Sequence, residues 1–408
     1  MNAKKLWVVR KNEKGMVLVV GLLLIVVLMM LGTTAVMTST TDMKIGSNYK
    51  QSEQVFYLAD AGIQHARIFL NQNKNNWSSY ATAQTLIAST QLANIGTYTV
   101  TIQDGGGGSR RVSSTGNTSS NARAVIEALM RLGPYTPDSA ITVGGDLTVS
   151  GNPTVSGTNG GVHANGSLSI SGNPTISGDA TASGTYSASG NPTVVGTAAG
   201  NQATVTIPPV NPADFFSHRD YRLASNGKVY NSAGIEQPMP GNKWNNWDFS
   251  GGKWTLSGNS TVNGTFYIEG NTVISGNPGS SENPWIASLI ATGDIEISGN
   301  PVVRPPNQTD PGGLFRSGAE NLLFVAGRDL KINGNPQQGF QGIMAAHEQI
   351  SASGNPTLNG FIIAEDAEAV SGTVTGNSVG GNMNITYNGG MGNPFPGDVE
   401  MRTWQQVY

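Results

Sequence analysis

A chain of 408 residues with 54 glycines, 20 prolines and 12 % charged residues is rich in turns and inclined to β structure. Its 38 % apolar share is too high for wholesale disorder. A net charge of −3 supplies no basic footprint for a phosphate backbone, so nucleic acid is not an expected partner. The absence of cysteine excludes disulfides, thiolate catalysis and zinc–thiolate sites.

No charged residue stands between Lys14 and Asp42, and Met16 to Leu31 is apolar apart from Gly21. Roughly 20 such residues in a helix cross a bilayer core. Lys4, Lys5, Arg10, Lys11 and Lys14, against Glu13 alone, keep the N-terminus on the cytoplasmic side. Gly15 precedes the apolar run, whereas a secretory signal carries its small-residue cleavage site after it. Helical spacing continues through Tyr49, Ser52, Phe56, Ala59, Ile63, Ala66 and Leu70, so one stripe faces a partner or the protein's own sheet. A helix from Met16 to about Leu70 is on the order of 80 Å long. Gly32, Gly46 and Gly62 are its weak points.

An Asn-rich turn at 71–77 follows, then a polar stretch, then the alternating run Thr97 to Ile102 that reads as a half-buried strand. Gly105 to Gly108 form a turn, and 122–130 reads as a returning strand, with a helix as the alternative. Residues 76–140 are expected to form a small β meander.

From about residue 141 the sequence repeats, as in LTVSGNPTVSG, LSISGNPTISG and ISASGNPTLNG. Successive Gly-Asn-Pro triplets stand 21 residues apart from Gly151 to Gly172, 18 to Gly190, 23 from Gly276 to Gly299 and 20 from Gly334 to Gly354. Glycine permits positive φ, proline fixes φ, and the residue before proline is driven to extended backbone, so the triplet suits a corner. Asn152, Asn173, Asn191, Asn277, Asn300, Asn335 and Asn355 hold that place. About 20 residues per turn with short strands predicts a parallel β-solenoid of roughly nine coils, its asparagines stacked as a ladder. A linear array of antiparallel hairpins is the rival. The excursion 201–253, with Trp244 and Trp247, is either an exposed ligand platform or packs against the repeats, and packing is the preferred reading. The stretch 395–408 is expected to cap the array.

Parallel β-helices also host polysaccharide lyases and hydrolases, which need clustered carboxylates. Residues 141–200 hold only Asp146 and Asp179 as charged side chains. Glu365, Asp366 and Glu368, and likewise Asp294 and Glu296, read as solvated faces and lack calcium-loop spacing. His65, His163, His218 and His347 are scattered, so no metal or catalytic cluster is expected. The glycines follow the repeat instead of a phosphate-binding loop. No cofactor and no enzymatic activity are expected.

Lys14-Gly15-Met16 followed by VLVVGLLLIVVLMMLG resembles the class III leader of type IV prepilins, and YLADAGIQHAR at 57–67 looks like the PilX-type N-terminal region. The resemblance covers residues 12 to about 70. It implies that prepilin peptidase cuts after Gly15, that Met16 becomes the first mature residue and is N-methylated, and that Val20 stands at the fifth mature position, where major pilins carry glutamate. It implies a single pass of the inner membrane before assembly, then the cell surface or pilus, with other minor pilins and the major pilin as partners through the helix. The β domain would present a surface to a ligand or a tip adhesin.

The expected fold class is α+β: leader 1–15, transmembrane and extracytoplasmic helix 16–75, pilin-like β region 76–140, β-solenoid 141–394 and cap 395–408. The expected function is a non-enzymatic minor pilin or pseudopilin that initiates or tips a filament. An uncleaved membrane-anchored adhesin or scaffold, and a β-helix carbohydrate-active enzyme, are the alternatives.

Overall fold

The computed structural model describes residues 13–336, 339–367 and 374–407. A long N-terminal apolar helix is followed by a large β-rich region, and the chain divides into two compact units. One runs to Arg131 and includes residues from Val399 onward; the other is Leu132–Asp398. Leader residues 1–12 lie outside the described residues.

The first unit is built on one helix, α1 (Glu13–Gln72), which continues through Gly32, Gly46 and Gly62. Four strands follow, β1 (Gln84–Leu92), β2 (Gly96–Gly106), β3 (Ser109–Thr118) and β4 (Arg123–Pro134), each antiparallel to the next. The segment 122–130 is thus a strand: Ile126, Ala128 and Met130 alternate inward, and this pattern outweighs its helix propensity. β1, by contrast, lies in what reads as a polar stretch, because only Ile87 is buried along it. The strand Pro396–Val407 takes the edge beside β4. The C-terminal stretch therefore completes this sheet instead of capping the repeats. Val399 N–H donates to Asn71 Oδ1 at 2.7 Å, and Trp404 meets Phe56 edge-on at 5.7 Å, which ties the strand to α1.

Val55, Leu58, Ala59, Ile63, Ala66 and Leu70 are the buried stripe of α1. Tyr49 and Ser52, expected on that stripe, are exposed, and Phe56 is half-buried. Gly62 is a packing position and not a weak point. A Cβ there would overlap the Ser114 hydroxyl and lie 3.0 Å from Tyr98, while one on Gly116 would lie 2.5 Å from the Val55 carbonyl oxygen. The two glycines let helix and β3 approach closely, as Cβ-free positions do.

The second unit is two sheets of short strands. In the eleven-stranded sheet the spatial order is Tyr186–Gly190, Leu168–Gly172, Leu147–Gly151, Asn377–Val379, Ile350–Ala352, Leu330–Ile332, Ile295–Ile297, Asn271–Ile274 and Lys253–Leu256, then Trp247–Ser250 and Lys243–Trp244. Setting aside those last two, which pair antiparallel, nine strands remain and all run parallel. Leu147–Gly151 lies between Leu168–Gly172 and Asn377–Val379, so the first repeats abut the last. The chain enters mid-stack, builds three layers outward, and then runs through residues 201–220 to rebuild from the opposite end.

Alternation explains the stacking. Leu147, Val149, Leu168, Ile170, Ile295, Ile297, Leu330, Ile332 and Ile350 are at most 1 % exposed, while the intervening Thr148, Ser169, Glu296, Lys331 and Ser351 face outward. Each buried aliphatic side chain contributes about 1.5–3 kcal/mol, and identical neighbours in register, such as Leu147 on Leu168, leave no steps between layers. The returning segment is pinned where Val205 N–H donates to Asn165 Oδ1 (2.8 Å) and Asn165 Nδ2 donates to the Val205 carbonyl (2.9 Å). Val210 and Phe215 are buried beyond it. Trp244, Trp247 and Trp254 are at most 6 % exposed; the first two pack on Phe266 and Trp254 on Phe249. Trp244 and Trp247 accordingly offer no exposed ligand platform: their rings cover the end of the core.

Candidate functional site

Met16 and Val20 both lie in α1, 71 % and 57 % exposed. The span beginning at Met16 has a mean hydropathy of 2.9 with none of that window buried in the protein. So long an apolar surface with no internal partner requires lipid or other helices around it. Gly15 opens the same helix two residues after Glu13.

A second set of predicted residues forms a continuous line in the Leu132–Asp398 unit. From one end, Asn277 N–H donates to Asn259 Oδ1 (3.1 Å), Asn300 N–H to Asn277 Oδ1 (2.7 Å), Asn335 N–H to Asn300 Oδ1 (2.6 Å) and Asn355 N–H to Asn335 Oδ1 (3.0 Å). From Asn355 on, side chains do the donating. Asn355 Nδ2 reaches Asn335 Oδ1 (3.1 Å), Asn382 Nδ2 reaches Asn355 Oδ1 (2.7 Å), Asn152 Nδ2 reaches Asn382 Oδ1 (3.2 Å) and Asn173 Nδ2 reaches Asn152 Oδ1 (3.2 Å). Asn191 continues the line through its backbone only, donating to the Gly172 carbonyl (2.8 Å). Asn259 and Asn382 were not legible from the triplet because no proline follows them; the shared signal is Gly-Asn.

The preceding glycines make a parallel line. A Cβ on Gly151, Gly172, Gly190, Gly276, Gly299, Gly334, Gly354 or Gly381 would fall within 3.0 Å of the carbonyl oxygen of the corresponding glycine one layer away. Gly151, Gly172, Gly190, Gly354 and Gly381 also have positive φ, between 71° and 87°. Where the glycines turn to positive φ, the asparagine ladder changes from backbone to side-chain donors.

The scattered histidines remain apart. His65 Nδ1 meets Tyr98 Oη at 2.8 Å, and His347 Nδ1 meets Glu365 Oε2 at 2.8 Å. His163 is buried between Thr181 Oγ1 (2.9 Å) and Asn165 Oδ1 (3.1 Å), and burial lowers its pKa. Asp294, Asp329 and Glu348 are buried near Arg328, with burial raising the Asp329 pKa. Asp329 accepts from the Gln349 and Val374 backbone, so it serves turns between layers. Among the described residues no three metal-ligating side chains converge. Glu368 lies outside the described residues. A shallow cavity of about 390 Å³ is lined by Arg304, Gln341, Thr357 and Asn359. Its one cation is paired with Asp310 through both Nη atoms, at 2.7 and 2.6 Å.

Comparison with known proteins bears on the helix. No curated protein matches the chain. The competence-associated pilin ComZ from Thermus thermophilus superposes with a TM-score of 0.35 at 14 % identity, over 88 % of this chain and 98 % of that one, a likeness too slight to carry an argument. A family model described as PilX N-terminal matches residues 14–64, which take in the start of the apolar run, the exposed helix and most of its buried stripe. From Lys14 to Gln64, then, this chain is similar to the PilX N-terminal family model.

Proposed function

We propose that the chain is a non-enzymatic minor pilin or pseudopilin that helps initiate or tip a type IV pilus-like filament and displays a β-solenoid outside the membrane. The observation that carries this reading is the PilX-type helix, apolar and unpartnered for its first turns and packed on its own sheet from Val55 onward. Removal of the leader by prepilin peptidase after Gly15 and N-methylation of Met16 belong to the reading. So does transit through the inner membrane and assembly with the major and other minor pilins. Nine parallel strands in register, with a glycine and an asparagine recurring at each corner, support the solenoid.

Val20 supports a special position in the filament. A carboxylate within a bilayer costs about 2.5 kcal/mol or more unless it is paired, and Val20 avoids that cost while giving up a pairing with a neighbouring terminal amine. The helices of a shaft pack about 8–10 Å apart, closer than the width of the β region allows at every subunit. The chain is therefore assigned to the tip or the initiating complex. Quantifying it against the major pilin in sheared filaments tests this: a scarce component is expected, and stoichiometric abundance or labelling at regular intervals along the shaft would reject it.

A further inference from the structure

At the tryptophan-covered end of the Leu132–Asp398 unit, three strands bring a line of side chains together on one face of the sheet, with Tyr267 buried and Arg222 and Tyr230 half-buried. Tyr221–Leu223 pairs with Val229–Asn231 and with Gly264–Ile268, so Tyr230, Arg222 and Tyr267 are register neighbours. The Arg222 guanidinium lies 5.4 Å from the Tyr230 ring and its Nε donates to Glu269 Oε1 at 2.7 Å. Glu269 Oε2 is fixed in turn by the Ser225 amide (3.0 Å) and hydroxyl (3.2 Å).

Arg219 stands beside this pair on different terms. Its guanidinium is stacked 3.6 Å from the ring of Phe216, which is itself 37 % exposed and meets Tyr267 edge-on at 4.8 Å. One Nη donates to the Phe216 carbonyl, and Nε is buried with no acceptor among the described residues. The nearby cations each have a carboxylate: Arg222 has Glu269, Lys228 has Glu236 and Arg316 has Asp220. Arg219 has none among the described residues. Burial, and then the charge of Arg222, hold its pKa below the usual guanidinium value. The cluster of Arg219, Arg222 and Glu269 therefore carries one net positive charge on a partly desolvated, ring-walled surface.

We infer that Arg219, with Phe216, Tyr230 and Arg222, forms a binding site for a carboxylate-bearing sugar of an acidic polysaccharide. A half-buried guanidinium with no carboxylate partner among the described residues takes a planar carboxylate with charge-assisted bonds. The partly exposed rings of Phe216 and Tyr230 beside it suit the apolar face of a pyranose. One net charge is too little to track a phosphate backbone, and an acidic peptide offers no pyranose face for Phe216 and Tyr230. The inference rests on the reading of this unit as the displayed part of the protein, yet binding by purified protein is independent of filament assembly, so the two fail separately.

The test is calorimetric titration of the detergent-solubilised full chain with an oligogalacturonate, a neutral galacto-oligosaccharide of equal length, oligoglutamate and a single-stranded oligonucleotide. The oligogalacturonate is expected to bind best, more weakly as salt rises. Arg219→Gln should lower its affinity by about tenfold or more, and Arg219→Lys should keep part of it. Unchanged circular dichroism and melting of each variant separate binding from folding. Equal affinity for the neutral sugar, unchanged affinity in Arg219→Gln, or stronger binding of oligoglutamate or the oligonucleotide would overturn the assignment.

Discussion

Replacing Gly172 tests the packing logic of the repeats most sharply, because two separable costs meet there. Its φ is +87°, and a Cβ would fall within 3.0 Å of the Gly151 carbonyl oxygen, a backbone atom held by its own layer. A left-handed conformation in a residue with a Cβ costs about 1–2 kcal/mol, and overpacking against atoms that cannot rotate away costs about 1–3 kcal/mol more. Gly172→Ala should therefore destabilise the Leu132–Asp398 unit by about 2–5 kcal/mol, and Gly172→Val by at least as much. Two comparisons divide the sum. Gly241 has φ +64° with nothing within 4 Å of a built Cβ, so Gly241→Ala measures conformational strain alone. Gly276 has no positive φ but meets the Gly258 carbonyl oxygen, so Gly276→Ala measures the clash alone. Urea unfolding followed by tryptophan fluorescence, with Trp247 and Trp254 fully buried as reporters, supplies the midpoints. A Gly172→Ala variant within about 0.5 kcal/mol of wild type, the spread of neutral surface substitutions, would rule out both costs at this corner.

Asn355→Ala removes a rung that both donates and accepts, and should cost about 1 kcal/mol in the same assay, whereas Asn191→Ala, which removes no side-chain bond recorded among the described residues, should be near neutral. Trp247→Ala should cost about 3–5 kcal/mol by opening the covered end of the core, and leave the helix unit's circular dichroism in place. His163 has its folded pKa lowered by burial, so the stability it contributes is whole above its unfolded value near 6.5 and is lost as pH falls through the folded value. Unfolding midpoints should accordingly drop from pH 7 to pH 5, and His163→Gln should flatten that slope by at most about 1.4 kcal/mol per pH unit.

The long apolar helix was legible because Met16 to Leu31 is apolar apart from Gly21, and the parallel rungs because alternation and corner chemistry recur together. The helix stripe was misread at its start. Tyr49 and Ser52 keep helical spacing, but the sheet that would bury them begins to touch α1 only at Val55, and spacing alone does not say where a partner starts. The order of layers was hidden for a different reason. Leu147–Gly151 is compatible with any copy of its own repeat, so pairing with Asn377–Val379 is as good locally as pairing with the next copy in sequence. What decides between them is the long return through Val205, Val210 and Phe215, a non-repetitive stretch with no periodic signal. Arg219 was invisible for a similar cause, since Arg222 and Tyr267 beside it come from separate strands.

Processing of the N-terminus distinguishes a pilin from an uncleaved anchor. Mass analysis of the N-terminal peptide, from cells with and without an active prepilin peptidase, addresses it directly. A mature chain beginning at Met16 with a methylated amine is expected when the peptidase is present, and the fifteen-residue leader is expected to be retained when it is absent. A leader still attached in peptidase-positive cells would contradict the pilin reading and leave an uncleaved anchor in its place.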